Sequence, residues 1–333
     1  MCDLTTKINA FLNTTLKGDD FTFNSITGDA SFRRYFRVLA AKNRYVLMYS
    51  QPERVNPQPF IELNETFRAA GINVPKILAC DTEQGFVLLE DLGELHLADK
   101  LQETSKVNHY QSLIKLIPKI AKVPSHSAMK PYDDDFIRLE LNIFKAWLIE
   151  DWLKIRLTET QEVQWTRLND WLVNEFKLQP QVTMHRDFHS RNVMYHDDKW
   201  FVIDYQDAVQ GPVTYDLVSL LRDCYVKLPS DEFELLYQSG FDALNSAGCL
   251  GDMSAEIFRQ AFDLTGLQRH LKAAGIFCRL WRRDGKAGYL PNILPTLDYI
   301  RFVAEKYQQS QWLATWIVDD IIPAVIKKLR EKP

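Results

Sequence analysis

Residues 181–208, QVTMHRDFHSRNVMYHDDKWFVIDYQDA, hold the densest set of groups able to do chemistry. They spell H-x-D-x-x-x-x-N as His185, Asp187 and Asn192, and Asp204 follows Asp187 by 17 residues. Two short apolar runs, VMY and WFVI, separate Asn192 from Asp204. That spacing fits a loop, a hairpin turning at His196–Lys199, and a second strand that returns Asp204 beside the loop. Two acids and an amide then converge, which suits phosphoryl transfer: a hydroxyl must be oriented and Mg²⁺ held against the phosphates. Asp187 would accept the hydroxyl proton, Asn192 and Asp204 would supply oxygen ligands for the hard cation, and His189 would donate to a phosphate oxygen. His185 reads as a holder of the loop, and His196, Asp197 and Asp198 as a solvated turn.

The elements that must position these groups divide into a strand-rich beginning and a helical remainder. Leu4, Ile8, Phe11, Leu12 and Leu16 spell a leading helix that ends at Gly18. FTFNSI, RYFRVL and RYVLMYS read as a three-stranded meander. Pro57 and Pro59 open a helix through Phe60, Leu63, Phe67 and Ala70 that stops at Gly71, and VPKILACD and GFVLLED read as two further strands. Helical patterns fill most of the rest, at about 97–121, 134–157, 159–177, 213–226, 231–246, 254–274 and, in pieces, 296–330. The expected class is α+β, a small β-rich part over residues 1–91 and a large helical part over 92–333, joined by the short segment Glu90–Glu94.

Composition narrows the alternatives. Glycine is scarce, 13 in 333 residues, and no G-x-G occurs. The dinucleotide fingerprint, the kinase glycine loop and the Walker A loop are therefore all missing. Lys plus Arg is 40 against 44 Asp plus Glu, a net charge of −4, which offers no general attraction to nucleic acid. No apolar run approaches the roughly 20 residues of a membrane helix, and the N-terminal pattern lacks a secretory apolar block. The five cysteines are scattered, with no C-x-x-C pair. A cytoplasmic protein with no obligate protein partner is the default expectation.

HRDFHSRN followed by FVIDYQDAVQGPVTYDLVSLLRD resembles the aminoglycoside phosphotransferase and choline-kinase-like enzymes. GDASFRRYFRV, VLLEDLG and LQRHLKAAGIFCRLWRRDGKAGYL resemble more narrowly the bacterial anomeric kinases of N-acetylmuramate and N-acetylglucosamine that serve cell-wall recycling. The resemblance implies a bilobal protein-kinase-like fold with ATP and Mg²⁺ as cofactors. It makes 1–91 the nucleotide-binding lobe, and 92–333 the lobe with the catalytic loop and acceptor site. It implies Asp187 as catalytic base, Asn192 and Asp204 as magnesium ligands, and backbone groups of Glu90 and Leu92 along the adenine. Asp216, in TYDL, matches an acid that buttresses the catalytic loop.

One departure stands out. Kinase-like folds carry a phosphate-binding lysine on the third strand, and here Met48 occupies that place, leaving Glu62 and Glu65 without the usual partner. The phosphate charge must be met elsewhere. The turn GDAS with Ser31 and its backbone amides, followed by Arg33 and Arg34, is the candidate cover. Arg34, sharing a strand face with Phe36 and Val38, is the favoured cation.

For the acceptor, Arg279, Arg282, Arg283 and Lys286 fall on one helical stripe that could meet a sugar carboxylate, and Glu140 and Asn142 could reach a sugar hydroxyl. The expected function is an ATP-dependent kinase of a small amino sugar. Its rivals are a kinase of an aminoglycoside or choline-like acceptor and a nucleotide-binding pseudokinase.

Overall fold

The computed structural model describes residues 4–26, 33–101 and 106–331. The chain separates into two compact units. The first comprises residues 1–97, 126–128 and 192–206; the second comprises residues 98–125, 129–191 and 207–333. The boundary read from sequence, at 91/92, does not include the hairpin that carries Asn192 and Asp204 in the first unit.

The first unit is built on an antiparallel sheet of β1 (Phe21–Ile26), β2 (Arg33–Ala40), β3 (Asn43–Ser50), β4 (Ile77–Asp81) and β5 (Phe86–Glu90), in the order β1-β2-β3-β5-β4 among the described residues. Helix α1 (Leu4–Thr15) lays Ile8, Phe11 and Leu12 against Phe36, Val38, Leu47, Phe86 and Leu88. Strand alternation then points Met48, Val87 and Leu89 to the opposite face, where all three are buried. Helix α2 (Gln58–Ala69) starts at Pro57, with a second proline in its first turn, as its sequence requires.

In the second unit, α3 (Lys106–Ile114), α4 (Ile117–Ala121) and the two-residue strand β6 (Lys130–Pro131) lead into α5 (Asp134–Ile143). The single helix expected over 134–157 continues instead as a π-type stretch, Phe144–Trp152, with an i→i+5 bond closing at Leu153. After α6 (Glu159–Lys177) comes β7 (Gln181–Met184). The hairpin β8 (Val193–His196) and β9 (Lys199–Val202) belongs to the first unit, tied there by Tyr195 N–H to Leu95 O at 2.8 Å and Val202 N–H to Asn73 O at 2.8 Å. Its turn residues Asp197 and Asp198 both have positive φ, 46° and 56°, the left-handed pair that a two-residue hairpin demands.

Strand β10 (Val209–Pro212) pairs with β6 and β7, and helices α7 (Tyr215–Leu221), α8 (Ser230–Ser246), α9 (Ala255–Asp284), α10 (Ile293–Ala304), α11 (Gln311–Trp316) and α12 (Ile322–Arg330) complete the second unit. Its spine is α9, which runs past the expected end at 274 and stops where Gly285 turns left-handed, φ 69°. About two-thirds of the way along α9, a Cβ on Gly275 would lie 2.5 Å from the Ile143 carbonyl oxygen. The glycine lets α9 press against the backbone where α5 changes to the π-type stretch.

Candidate functional site

In the first unit, Ile203 N–H donates to the Asn192 carbonyl at 3.0 Å, which closes the open end of the β8–β9 hairpin and brings the backbones flanking Asn192 and Asp204 together. Asp204 adopts φ 65°, an uncommon conformation for a side-chain-bearing residue. Its Oδ1 accepts a hydrogen bond from Gln206 Nε2 at 2.6 Å. The next residue, Tyr205, is fully buried between the rings of Phe60 and Phe67, and its hydroxyl accepts from Asn64 Nδ2 at 2.7 Å. Burial pushes the Tyr205 phenol well up, against the Asn64 bond and the nearby charges of Arg33 and Arg68. The short 3₁₀ turn holding Tyr205 is thus clamped to α2.

Met48 is 0% exposed and lies directly opposite Tyr35 and Val87 in the sheet. It supplies an apolar wall and no charge. Directly opposed residues of antiparallel strands share a face, so Arg33, Tyr35 and Arg37 are on Met48's side. Arg34 is on the other side with Phe36, which opposes Leu47 on the α1 face. The choice of Arg34 as the phosphate cation is therefore corrected: it is exposed, with its guanidinium 5.3 Å from the Phe36 ring centroid. Arg33, whose charge acts on Tyr205, lies on Met48's face.

Ser31, with Gly28 and Asp29, lies outside the described residues. Arg37 fastens the junction, bonding Asp91 at 3.0 Å, the Gly93 carbonyl at 3.0 Å, and Glu94. Glu90 donates its N–H to Lys76 O at 3.0 Å, which removes that N–H from any ligand role, and its carboxylate accepts from Lys76 N at 2.6 Å. The Glu90 side chain also lines, with Arg68, Asn73, Lys76 and Phe201, a cavity of about 260 Å³. Leu92 is buried.

The second unit holds Asp187 in a dense charge network. Asp216, buried at the start of α7, accepts the backbone N–H groups of His185 at 2.8 Å and Arg186 at 2.9 Å, the buttress expected of it. Ser219 Oγ donates to the Arg186 carbonyl at 3.1 Å. These bonds hold Arg186 at φ 76° and fix the direction in which Asp187 leaves the loop. Asp187 keeps some exposure. Burial works to raise its pKa, but Lys272, Arg186, His189 and Arg269 together drive it well below the usual carboxylate range, so the group is ionised. His189 is pushed down by burial against the pull of Asp223 and Asp187, and its Nδ1 accepts from Arg191 N at 3.3 Å. With Nδ1 engaged as an acceptor, Nε2 is the ring position left to donate a hydrogen bond.

Glu140, expected to reach a sugar hydroxyl, does not. It is 3% exposed, and its carboxylate takes Tyr132 Oη at 2.6 Å, Arg186 at 2.8 Å, Gln268 Nε2 at 3.0 Å and Lys272 Nζ at 3.1 Å. Burial would raise its pKa, but Lys272 and Arg186 hold it below the usual range. Glu140 is a positioning residue for the cations beside Asp187, and Asn142 is exposed.

The basic stripe also divides. Arg282 pairs with Asp151 at 2.9 Å and Arg283 with Asp284 at 2.8 Å, whereas the buried Arg279 Nε has no hydrogen-bond acceptor among the described residues. Sequence reasoning missed Arg186, Gln268, Arg269 and Lys272. The signal was QRHLK inside an apolar helix, since charges at helical spacing that become almost fully buried require partners.

A phosphotransferase enzyme family model matches residues 22–247. A protein from Pseudomonas putida named N-acetylmuramate/N-acetylglucosamine kinase is 35% identical over 282 residues, 85% of this chain and 83% of the relative. One of the same name from Neisseria meningitidis serogroup B is 35% identical over 319 residues, 94% and 95% of the two chains. Among solved structures, choline kinase from Cryptosporidium parvum Iowa II superposes with a TM-score of 0.64 at 14% identity, covering 95% of this chain and 100% of that one. At that identity the likeness shows the kinase-like fold alone.

Proposed function

The chain belongs to the phosphotransferase enzyme family, and from that premise we propose that it transfers the γ-phosphoryl group of ATP to N-acetylmuramate or N-acetylglucosamine. The acceptor site is the anomeric C1 hydroxyl, and the setting is cytoplasmic cell-wall recycling. The observation that carries the reading is Asp187, an ionised carboxylate on a strained, buttressed loop with cations on several sides. It receives the acceptor proton as the hydroxyl oxygen bonds to phosphorus and the β–γ bridging bond breaks, releasing ADP. His189 donates from Nε2 to a phosphate oxygen. No phospho-enzyme is required.

Arg33 takes the place of the missing strand lysine, with Ser31 and its turn as phosphate cover. The carbonyl of Glu90 and the backbone of Leu92 meet the adenine, with Met48 as an apolar wall. Among the described residues no group of three or more His, Cys, Asp or Glu side chains could enclose a metal. The Asn192 and Asp204 oxygens nevertheless fit Mg²⁺, which takes few protein ligands and fills its octahedron with water and phosphate oxygens. When bound there it neutralises phosphate charge.

The acceptor class rests on the two 35% identical relatives, which align over 83% and 95% of their lengths. The test measures ADP formation with ATP, Mg²⁺ and, in turn, N-acetylmuramate, N-acetylglucosamine, choline and kanamycin, with the product identified by NMR. Turnover of the amino sugars to a C1 phosphate is expected. Turnover of choline or kanamycin alone would replace the acceptor, and ATP binding without turnover of any would make the chain a pseudokinase.

A further inference from the structure

The two acceptors in the relatives' shared name differ in chemistry: N-acetylmuramate is N-acetylglucosamine carrying a lactyl ether, and so one carboxylate. Helix α9 presents cations at positions 272 and 279, seven residues apart. These share a face and are separated by roughly 10.5 Å along the axis at 1.5 Å per residue. Lys272 stands at the Asp187 end of this row, 5% exposed and bonded to Glu140. Arg279 stands two turns further on and still feels the Glu140 charge.

The other nearby cations of the helix are occupied. Lys272 has Glu140 and the Tyr215 hydroxyl, Arg282 has Asp151, and Arg283 has Asp284. Arg269 and Arg279 both keep a buried Nε with no hydrogen-bond acceptor among the described residues, but Arg269 is 5% exposed and reaches Cys224 Sγ at 3.8 Å through Nη1, whereas the Arg279 side chain keeps some exposure. Burial and the like charge of Arg283 both work against its ionised form, with Asp284 and Glu140 only partly offsetting them. An arginine does not discharge this tension by losing its proton. A half-buried guanidinium short of an acceptor is suited to a carboxylate arriving from outside, which can take two parallel N–H bonds at once.

Resting on the amino-sugar reading above, we propose that Arg279 is the specificity residue that takes the acceptor's carboxylate, so that it favours N-acetylmuramate over N-acetylglucosamine. Arg282, another arginine of that stripe, holds α9 to the π-type stretch through Asp151. A charge-assisted bond of this kind is worth roughly 10- to 100-fold in affinity.

The test compares kcat/KM for the two sugars in the full-length wild type, R279Q, R279K and R282Q, with thermal melting as the check on folding. R279Q is expected to lower the N-acetylmuramate to N-acetylglucosamine ratio of kcat/KM at least tenfold, mainly through the N-acetylmuramate KM. R279K should keep an intermediate ratio, and R282Q should keep the wild-type one. A wild type that turns over both sugars while R279Q and R279K leave the ratio unchanged would overturn the assignment and leave the kinase reading intact. An equal ratio shift in R282Q would also overturn it, and so would a wild type that takes only N-acetylglucosamine. A wild type that phosphorylates neither sugar defeats the amino-sugar reading itself, and the assignment with it.

Discussion

The two units carry their candidate groups in opposite ways. In the first, Asn192, Asp204 and Arg33 owe their directions to backbone: a tight hairpin, a residue at positive φ, and the register of β2 on β3. In the second, Asp187 depends on side chains from distant helices, with Glu140, Lys272, Arg186 and Arg269 forming a network of buried charge around its loop. A site framed by backbone tolerates changes that keep the strand pattern. A site framed by buried ions does not, because each partner removed leaves another charge unpaired in a poorly solvated place.

Breaking each frame at its chemical centre should have the largest effect. D204A is expected to abolish Mg²⁺-dependent turnover, and D187N to lower kcat by about 10²–10⁴, the usual scale for a positioned base. Steady-state kinetics at saturating ATP measures both, and near wild-type rates in either variant would contradict the assigned roles. The next largest effect belongs to E140Q, which leaves Lys272 and Arg186 facing a neutral amide. Removing one member of a buried ion network costs about 3–5 kcal/mol, so denaturant unfolding should show a loss of that order together with impaired turnover. A loss below about 1 kcal/mol would mean that the network is not what holds the loop.

Sharpening the backbone side of the comparison calls for a paired measurement. R33Q should raise the KM for ATP about tenfold, the loss of one charge-assisted bond, whereas R34Q should leave it within about twofold. The reverse order would place the phosphates on the α1 face of the sheet.

The smallest expected effect concerns pH. His270 on α9 is stacked on Tyr299 with its ring nitrogen 2.9 Å from the Arg222 carbonyl, and burial lowers its pKa to about 3. Between an unfolded value of about 6.5 and that folded value, the unfolded chain binds a proton that the folded one does not. The contribution of His270 is therefore fully present above about pH 6.5 and is lost as pH falls toward 3. Stability of H270Q should decline less steeply than wild type between pH 6.5 and 4 in urea titrations. Parallel curves would remove His270 from the acid response of this unit.

The sheet, the hairpin turn and the H-x-D-x-x-x-x-N loop were legible because their signals lie within about 20 residues: alternation, turn-forming residues and a fixed motif spacing. The three-stranded meander and the two further strands were legible as elements, whereas the pairing of β5 rather than β4 with β3 was not. Legibility failed at Arg34, where alternation correctly grouped it with Phe36 and Val38. Which face of the strand that group occupies depends on pairing with Leu47 and packing of α1. It failed again at Glu140, a carboxylate on an amphipathic helix whose partners Lys272 and Gln268 come from another element, Gln268 being 128 residues away.

What the sequence determined by itself was therefore the local grammar: strands before helices, a loop bearing one acid and one amide, a second acid returned by a tight turn, and no glycine arch or third-strand lysine. Tertiary structure alone decided which cations surround that loop, which of Arg33 and Arg34 shares Met48's face, and which arginine of the basic stripe keeps a buried Nε without an acceptor among the described residues. Local conformation follows from neighbours along the chain. The company a buried charge keeps follows from elements brought together across the chain, and no spacing within either element encodes it.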